Sequence, residues 1–207
     1  WATENTRTAI FEALQRKETF ATSGPRIRIR FFGGWDYPSE MCAAASKITD
    51  AYAKGVPMGS ELDTSSRGDA APNFLIQAEH DAGTLEHPGR LLQHLQVIKG
   101  WTEKGKAYQR VYAVAGDPEN GASVDTANCE TTGPGSETLC TVWIDPDFDP
   151  KQRAFYYARV MENPSCRWST YECNRIDEAD RPATCSNDAV TKVVQQRAWS
   201  SPIWYRP

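Results

Sequence analysis

Three aspartates alternate in Asp145-Pro146-Asp147-Phe148-Asp149-Pro150. Alternate carboxylates open a calcium loop, because oxygens spaced in this way can turn toward one hard cation. The glycine that bends an EF-hand loop is missing, as is its closing glutamate, and Pro146 and Pro150 stiffen the run. Asp145, Asp147 and Asp149 are therefore metal-ligand candidates, set against a simpler reading as a rigid turn between strands. Glu79-His80-Asp81 is a second cluster, since an imidazole between carboxylates can hold a metal or move a proton. His80, His87 and His94 fall seven residues apart, a spacing that one helix would bring to a single face. Pro88-Gly89 breaks any such helix, so ordinary surface or half-buried histidines are expected.

Arg26, Arg28 and Arg30 alternate with Ile27, Ile29 and Phe31. Guanidinium groups offer paired donors to an oxyanion, which makes the row a candidate anion site. The competing reading pairs the arginines with carboxylates across the sheet. Of the seven tryptophans, most suit core packing. Trp168 lies in a polar, cysteine-containing stretch and is the best candidate for an exposed platform on which a sugar could stack. No Gly-Lys-Ser/Thr phosphate loop, Gly-x-Ser-x-Gly elbow or His-Glu-x-x-His motif is present.

These residues need a scaffold, and the periodicity of the chain supplies one. Helical spacing of Ala9, Ile10, Ala13 and Leu14 predicts a helix over residues 5–17, capped by Asn5. A short strand over 19–22 follows, then a turn at Ser23-Gly24-Pro25 and the alternating strand 26–31. Helix formers dominate 39–54, while 56–72 is turn-rich. From residue 73 the period becomes two. Strands are predicted at Asn73–Glu79, Leu91–Trp101, Ala107–Ala115, Thr138–Ile144, Arg153–Glu162 and Pro202–Tyr205, with a last helix near 188–196. Short alternating strands between Gly/Pro/Asn/Asp clusters predict a mostly β fold: an antiparallel sandwich, immunoglobulin-like or related, with an N-terminal helix-strand unit and one or two extra helices.

The chain has 207 residues, with 23 Lys and Arg against 27 Asp and Glu, a formal charge of −4. Such a length buries roughly 70% of its unfolded surface. Mild acidity argues against a nucleic-acid binder that relies on bulk positive charge. No apolar run approaches the ~18 residues of a membrane span. The six cysteines include no Cys-x-x-Cys pair, and five fall in the last 80 residues. Cysteines in polar loops suit disulfides and an oxidising compartment. Six cysteines allow 15 pairings. Short loops favour Cys129–Cys140, then Cys166 with Cys173 or Cys185, leaving Cys42 unpaired or joined at long range.

Four stretches carry a resemblance. They are Glu4-Asn5-Thr6-Arg7; Ala9 to Leu14 with Arg16 to Gly24; Asp145 to Arg159; and Ala198 to Tyr205. The first two resemble the final helix and strand of a polymerase-and-histidinol-phosphatase (PHP) type domain. All four resemble a bacterial family of unknown function related to that superfamily. The resemblance implies a distorted βα barrel with two or three divalent metals, hydrolysing phosphoesters through activated water. The superfamily's His-x-His and Asp-x-His motifs are absent, so no catalytic residue carries over and no cofactor is expected in this chain.

What the resemblance implies instead is a C-terminal piece. Residues 1–24 are expected to be the tail of an upstream barrel, and 25–207 an accessory domain with a cysteine-rich insertion at about 163–197. Thr22 and Ser23, after the presumed last barrel strand, would then face the barrel's active site. Ile10, Phe11 and Leu14 would pack on the upstream domain, or self-associate without it. A periplasmic or extracellular location is implied, as the cysteines suggest. Two other readings stand beside this one. The first is a binding module for a sugar or anion, using Trp168 or the arginine row. The second is an independent hydrolase built on the aspartate or Glu79-His80-Asp81 groups.

Overall fold

The computed structural model describes residues 1–62 and 70–207. Helix α1 (Arg7–Gln15) is capped by Thr6 rather than Asn5; the Thr6 hydroxyl accepts from the Ala9 amide at 3.3 Å. The helical stretch expected over 39–54 splits into a 3-10 turn (Ser39–Ala43) and helix α2 (Lys47–Lys54). Met41 and Ala51 are both buried against one sheet face with Phe32 and Leu75. On a continuous helix, residues ten apart point roughly 80° away from each other. The break at Ala44, whose backbone is extended, lets both reach the same surface.

In chain order the strands are β1 (Phe20–Thr22), β2 (Arg28–Gly34), β3 (Gly55–Pro57), β4 (Glu61–Leu62), β5 (Asn73–Glu79), β6 (Leu92–Glu103), β7 (Lys106–Gly116) and β8 (Ser123–Val124). They continue as β9 (Thr131–Thr132), β10 (Thr138–Ile144), β11 (Ala154–Glu162), β12 (Ser165–Cys166), β13 (Val193–Val194), β14 (Arg197–Ser200) and β15 (Ile203–Tyr205). The predicted strand at Pro202–Tyr205 and the other five are therefore present, with two matching residue for residue. In the larger sheet, β11 pairs with β6, which pairs with β7. The other edge of β11 pairs with β15 along its first half and with β14 along its second. Antiparallel β1 then joins β14, and parallel β4 joins β15. The smaller sheet runs β10–β5–β2–β3, antiparallel throughout.

The two sheets enclose one core. Ile29 and Phe31 of β2 and Phe74 and Ile76 of β5 meet Leu95 and Val97 of β6, Tyr156 and Val160 of β11, and Ile203 of β15, all fully buried. The opposite face of the smaller sheet is covered by the 3-10 turn and α2. The molecule is thus a β-sandwich with a helical layer on one side, as the period-two alternation predicted.

The stretch 163–197 departs from expectation. No helix forms near 188–196. The Asn187 side chain accepts from the Ala189 amide at 2.9 Å, closing a turn, and the β-branched Val193-Val194 pair extends to match β12. A helix forms earlier instead, as α3 (Trp168–Arg175).

All six cysteines are paired: Cys42–Cys140, Cys129–Cys166 and Cys173–Cys185. The expected Cys129–Cys140 bond does not form, and Cys166 bonds to neither Cys173 nor Cys185. Cys140 lies on the face of β10 that meets the helical layer, beside Cys42, whereas Cys129 lies in the β8–β9 loop. Sequence proximity was outweighed by which side of the sheet each residue faces. Cys42 takes the long-range partner left open for it, 98 residues away.

Candidate functional site

Glu162 is an ionisable residue at the buried end of strand β11. It follows Tyr156, Ala158 and Val160 at even spacing on β11, and it is 1% exposed. The pairing with β6 shifts at this point: Met161 pairs with His94 and Glu162 with Leu92, so the extra residue is Gln93 on β6. Bulges re-aim a side chain and terminate pairing, and they concentrate beside functional sites. The Glu162 Oε1 atom has no hydrogen-bond partner among the described residues. Burial, reinforced by the nearby Asp81 carboxylate and only partly offset by Arg90, pushes its carboxyl up to about 7.

Glu162 lines a cavity of about 330 Å³, together with Asp81, His87, Arg90, Trp168, Tyr171 and Gln196. Three segments build it. The loop 80–90 contributes Asp81, His87 and Arg90. Two glycines hold its shape. Gly83 has a φ of +67°, and a Cβ there would lie 2.2 Å from the His87 carbonyl oxygen. A Cβ on Gly89 would lie 1.6 Å from the Asp81 carbonyl oxygen. Asp81 accepts from the amides of Arg26 at 2.8 Å and Gly83 at 3.0 Å, which hold its carboxyl below the usual range. The second segment is the β12–α3 region. Cys166, tied to Cys129, fixes the start of α3, and Trp168 stands there 73% exposed. Arg90 donates to Tyr171 Oη at 3.1 Å and to Thr131 Oγ1 at 2.9 Å, bracing α3 against β9. The third segment is Gln196, just before β14.

The residues singled out from sequence distribute as follows. Trp168 is in this cavity. Ser23 borders it, donating to the Gln196 side chain at 2.5 Å, while Thr22 pairs with Ala198 inside the sheet. All three arginines of the row are matched by carboxylates. Arg26 lies 3.7 Å from Asp81, Arg28 pairs with Glu79, and Arg30 lies 3.6 Å from Glu18. Arg30 also stacks over the Trp1 ring at 3.5 Å.

Asp145, Asp147 and Asp149 do not converge. The buried Asp145 accepts from Lys99 Nζ at 2.6 Å and Tyr156 Oη at 2.7 Å. Asp147 accepts from Arg110 at 2.5 Å and Tyr112 at 2.7 Å, and these donors hold its carboxyl low. Asp149 closes a turn on the Lys151 amide at 2.9 Å. His80 and His87 both lie on loop 80–90, whereas His94 is buried on β6. Among the described residues, no group of three or more His, Cys, Asp or Glu is arranged to hold a metal ion.

Comparison with known families settles what the chain is related to. A family described as a protein of unknown function, DUF3604, matches residues 1–207. The chain belongs to the DUF3604 family. No curated protein and no solved structure matches it. Nothing in these comparisons links DUF3604 to the PHP superfamily. The residues that sequence reasoning missed in this DUF3604 chain are Glu162 and Arg90. For Glu162 a signal existed: a carboxylate in phase with the core positions of a strand. For Arg90, an ordinary residue after Pro88-Gly89, there was none.

A second surface is defined by α1. Ala9 and Ala13 are buried, but Ile10, Phe11 and Leu14 are 45%, 58% and 59% exposed and flank a shallow open groove.

Proposed function

We propose that this DUF3604 chain is the non-catalytic C-terminal accessory region of a secreted PHP-like metal-dependent hydrolase. It packs against an upstream barrel domain of the same protein, and that domain holds the divalent metals and the chemistry. One observation carries the reading: α1 presents Ile10, Phe11 and Leu14 as a continuous uncovered apolar face. Fully burying such side chains contributes about 1.5–3 kcal/mol each, enough to hold two domains together. The arrangement of Asp145, Asp147 and Asp149 supports placing the metals elsewhere, because they do not converge and are held by lysine, arginine, tyrosine and backbone amides. The three disulfides support a periplasmic or extracellular location.

Hydrogen exchange on the longer natural protein tests this. The amides of α1 are expected to be protected there by at least tenfold over the 207-residue chain alone. Equal exchange in both would defeat the docking role.

A second reading, a binding module for a sugar or an anion, rests on a different observation: the cavity that joins the exposed Trp168 to the unpartnered Glu162.

A further inference from the structure

We infer that the cavity between loop 80–90 and α3 is a saccharide-binding site, read by Trp168, Glu162 and Arg90. The inference rests on the binding-module reading and does not depend on the docking of α1. Its volume of about 330 Å³ falls within the ~300–1,000 Å³ of small-molecule sites.

The chemistry of the lining selects the ligand. Glu162 lines the cavity, and its buried Oε1 has no donor among the described residues. Leaving a buried acceptor unmet costs roughly 1–3 kcal/mol, a deficit that a ligand O–H or N–H removes. An anion does not fit, because two carboxyls, Glu162 and Asp81, line the cavity. A cation does not fit well either, because Arg90 faces the same space and lowers the Glu162 carboxyl. A neutral ligand with several hydroxyls fits both groups. One hydroxyl donates to Glu162, and another accepts from Arg90. Among the described residues, Arg90 gives two of its five N–H groups, to Tyr171 and Thr131. The apolar C–H face of a pyranose ring then has Trp168 to lie against, at the exposed margin of the cavity. A hydroxylated ring with one apolar face is a sugar.

The architecture marks the site as built rather than incidental. Glu162 falls on the inward-facing positions of β11, two glycines with no room for a Cβ set the loop, and the Cys129–Cys166 bond sets Trp168. Each wall is held by a different device.

The experiment is saturation-transfer NMR and tryptophan fluorescence on the 207-residue chain. The probes are a panel of methyl glycosides (glucoside, galactoside, mannoside, N-acetylglucosaminide and xyloside), with inorganic sulfate and phosphate in parallel. At least one glycoside is expected to bind saturably with a Kd in the millimolar range. Trp168→Ala and Glu162→Gln should each weaken it at least tenfold. Trp168 is exposed and Gln is isosteric with Glu, and circular dichroism confirms that both variants are folded. Saturable glycoside binding that neither variant alters would overturn the assignment, as would no glycoside binding at all. Sulfate or phosphate binding lost in Trp168→Ala, without any glycoside binding, sinks the saccharide inference yet leaves the binding-module reading standing. Silence from every probe removes both.

Discussion

Glu162 makes the stability of the molecule depend on pH in a direction opposite to that of most carboxylates. Its folded value of about 7 lies above its ordinary value of 4.5. Between these values the folded state binds more protons than the unfolded state, so stability falls as pH rises through the window and levels off above it. The difference corresponds to about 3 kcal/mol. Asp81, Arg90 and His87 share the cavity, and of these Asp81 reinforces the shift. Urea denaturation at pH 5 and pH 8 is expected to show wild type weaker at pH 8, with Glu162→Gln removing most of the difference. A wild type equally stable at both values would mean that the carboxylate finds a partner. The Lys99–Asp145–Tyr156 cluster behaves differently, because each of its charges is already matched. Asp145→Ala strands the Lys99 ammonium, which is 2% exposed, and should cost about 3–5 kcal/mol in the same assay. Lys99→Met combined with Asp145→Leu should recover much of that loss.

At the scale of elements, local signals and tertiary ones diverge. Strands β5 and β10 were legible to the residue because a short run of β-prone residues in each, Phe74-Leu75-Ile76 and Val142-Trp143-Ile144, lies between turn signals. The last helix was misplaced because its polar residues suit a helix, whereas Asn187 and the Val193-Val194 pair favour a turn and a strand. Disulfide pairing was not legible. It depends on which face of β10 carries Cys140, and strand period alone does not say what lies over that face. The loop 80–90 shows how backbone geometry serves the cavity. Gly89→Ala forces a Cβ into the Asp81 carbonyl, so the loop must move. Such overpacking costs about 1–3 kcal/mol. The expected result is a lower Tm together with restored exchange at the Gly83 and Arg26 amides that Asp81 now holds. An unchanged Tm would show that the loop tolerates displacement.

For the whole molecule, the sandwich was predictable from period two, and the core list follows directly from inward-facing positions such as Ile27, Ile29 and Phe31. The candidate site was only half legible. Trp168 stood out by composition, but its neighbours come from loop 80–90 and the end of β11, about 80 and 6 residues away in sequence. Only the fold brings them together. The uncovered face of α1 has a consequence for the chain on its own. With Ile10, Phe11 and Leu14 bare, it should self-associate at high micromolar concentration, and Leu14→Asp should keep it monomeric in sedimentation equilibrium. A wild-type chain that stays monomeric throughout would show that this face is stable in water.

The most direct measurement of the central claim is the intact mass of the natural protein, read together with its reading frame. The account predicts a frame running upstream of Trp1 by the length of a barrel domain and carrying His-x-His motifs, with one mature chain that includes both parts. A frame that begins just before Trp1, after a signal peptide, would contradict it and leave the Trp168 cavity as the seat of function.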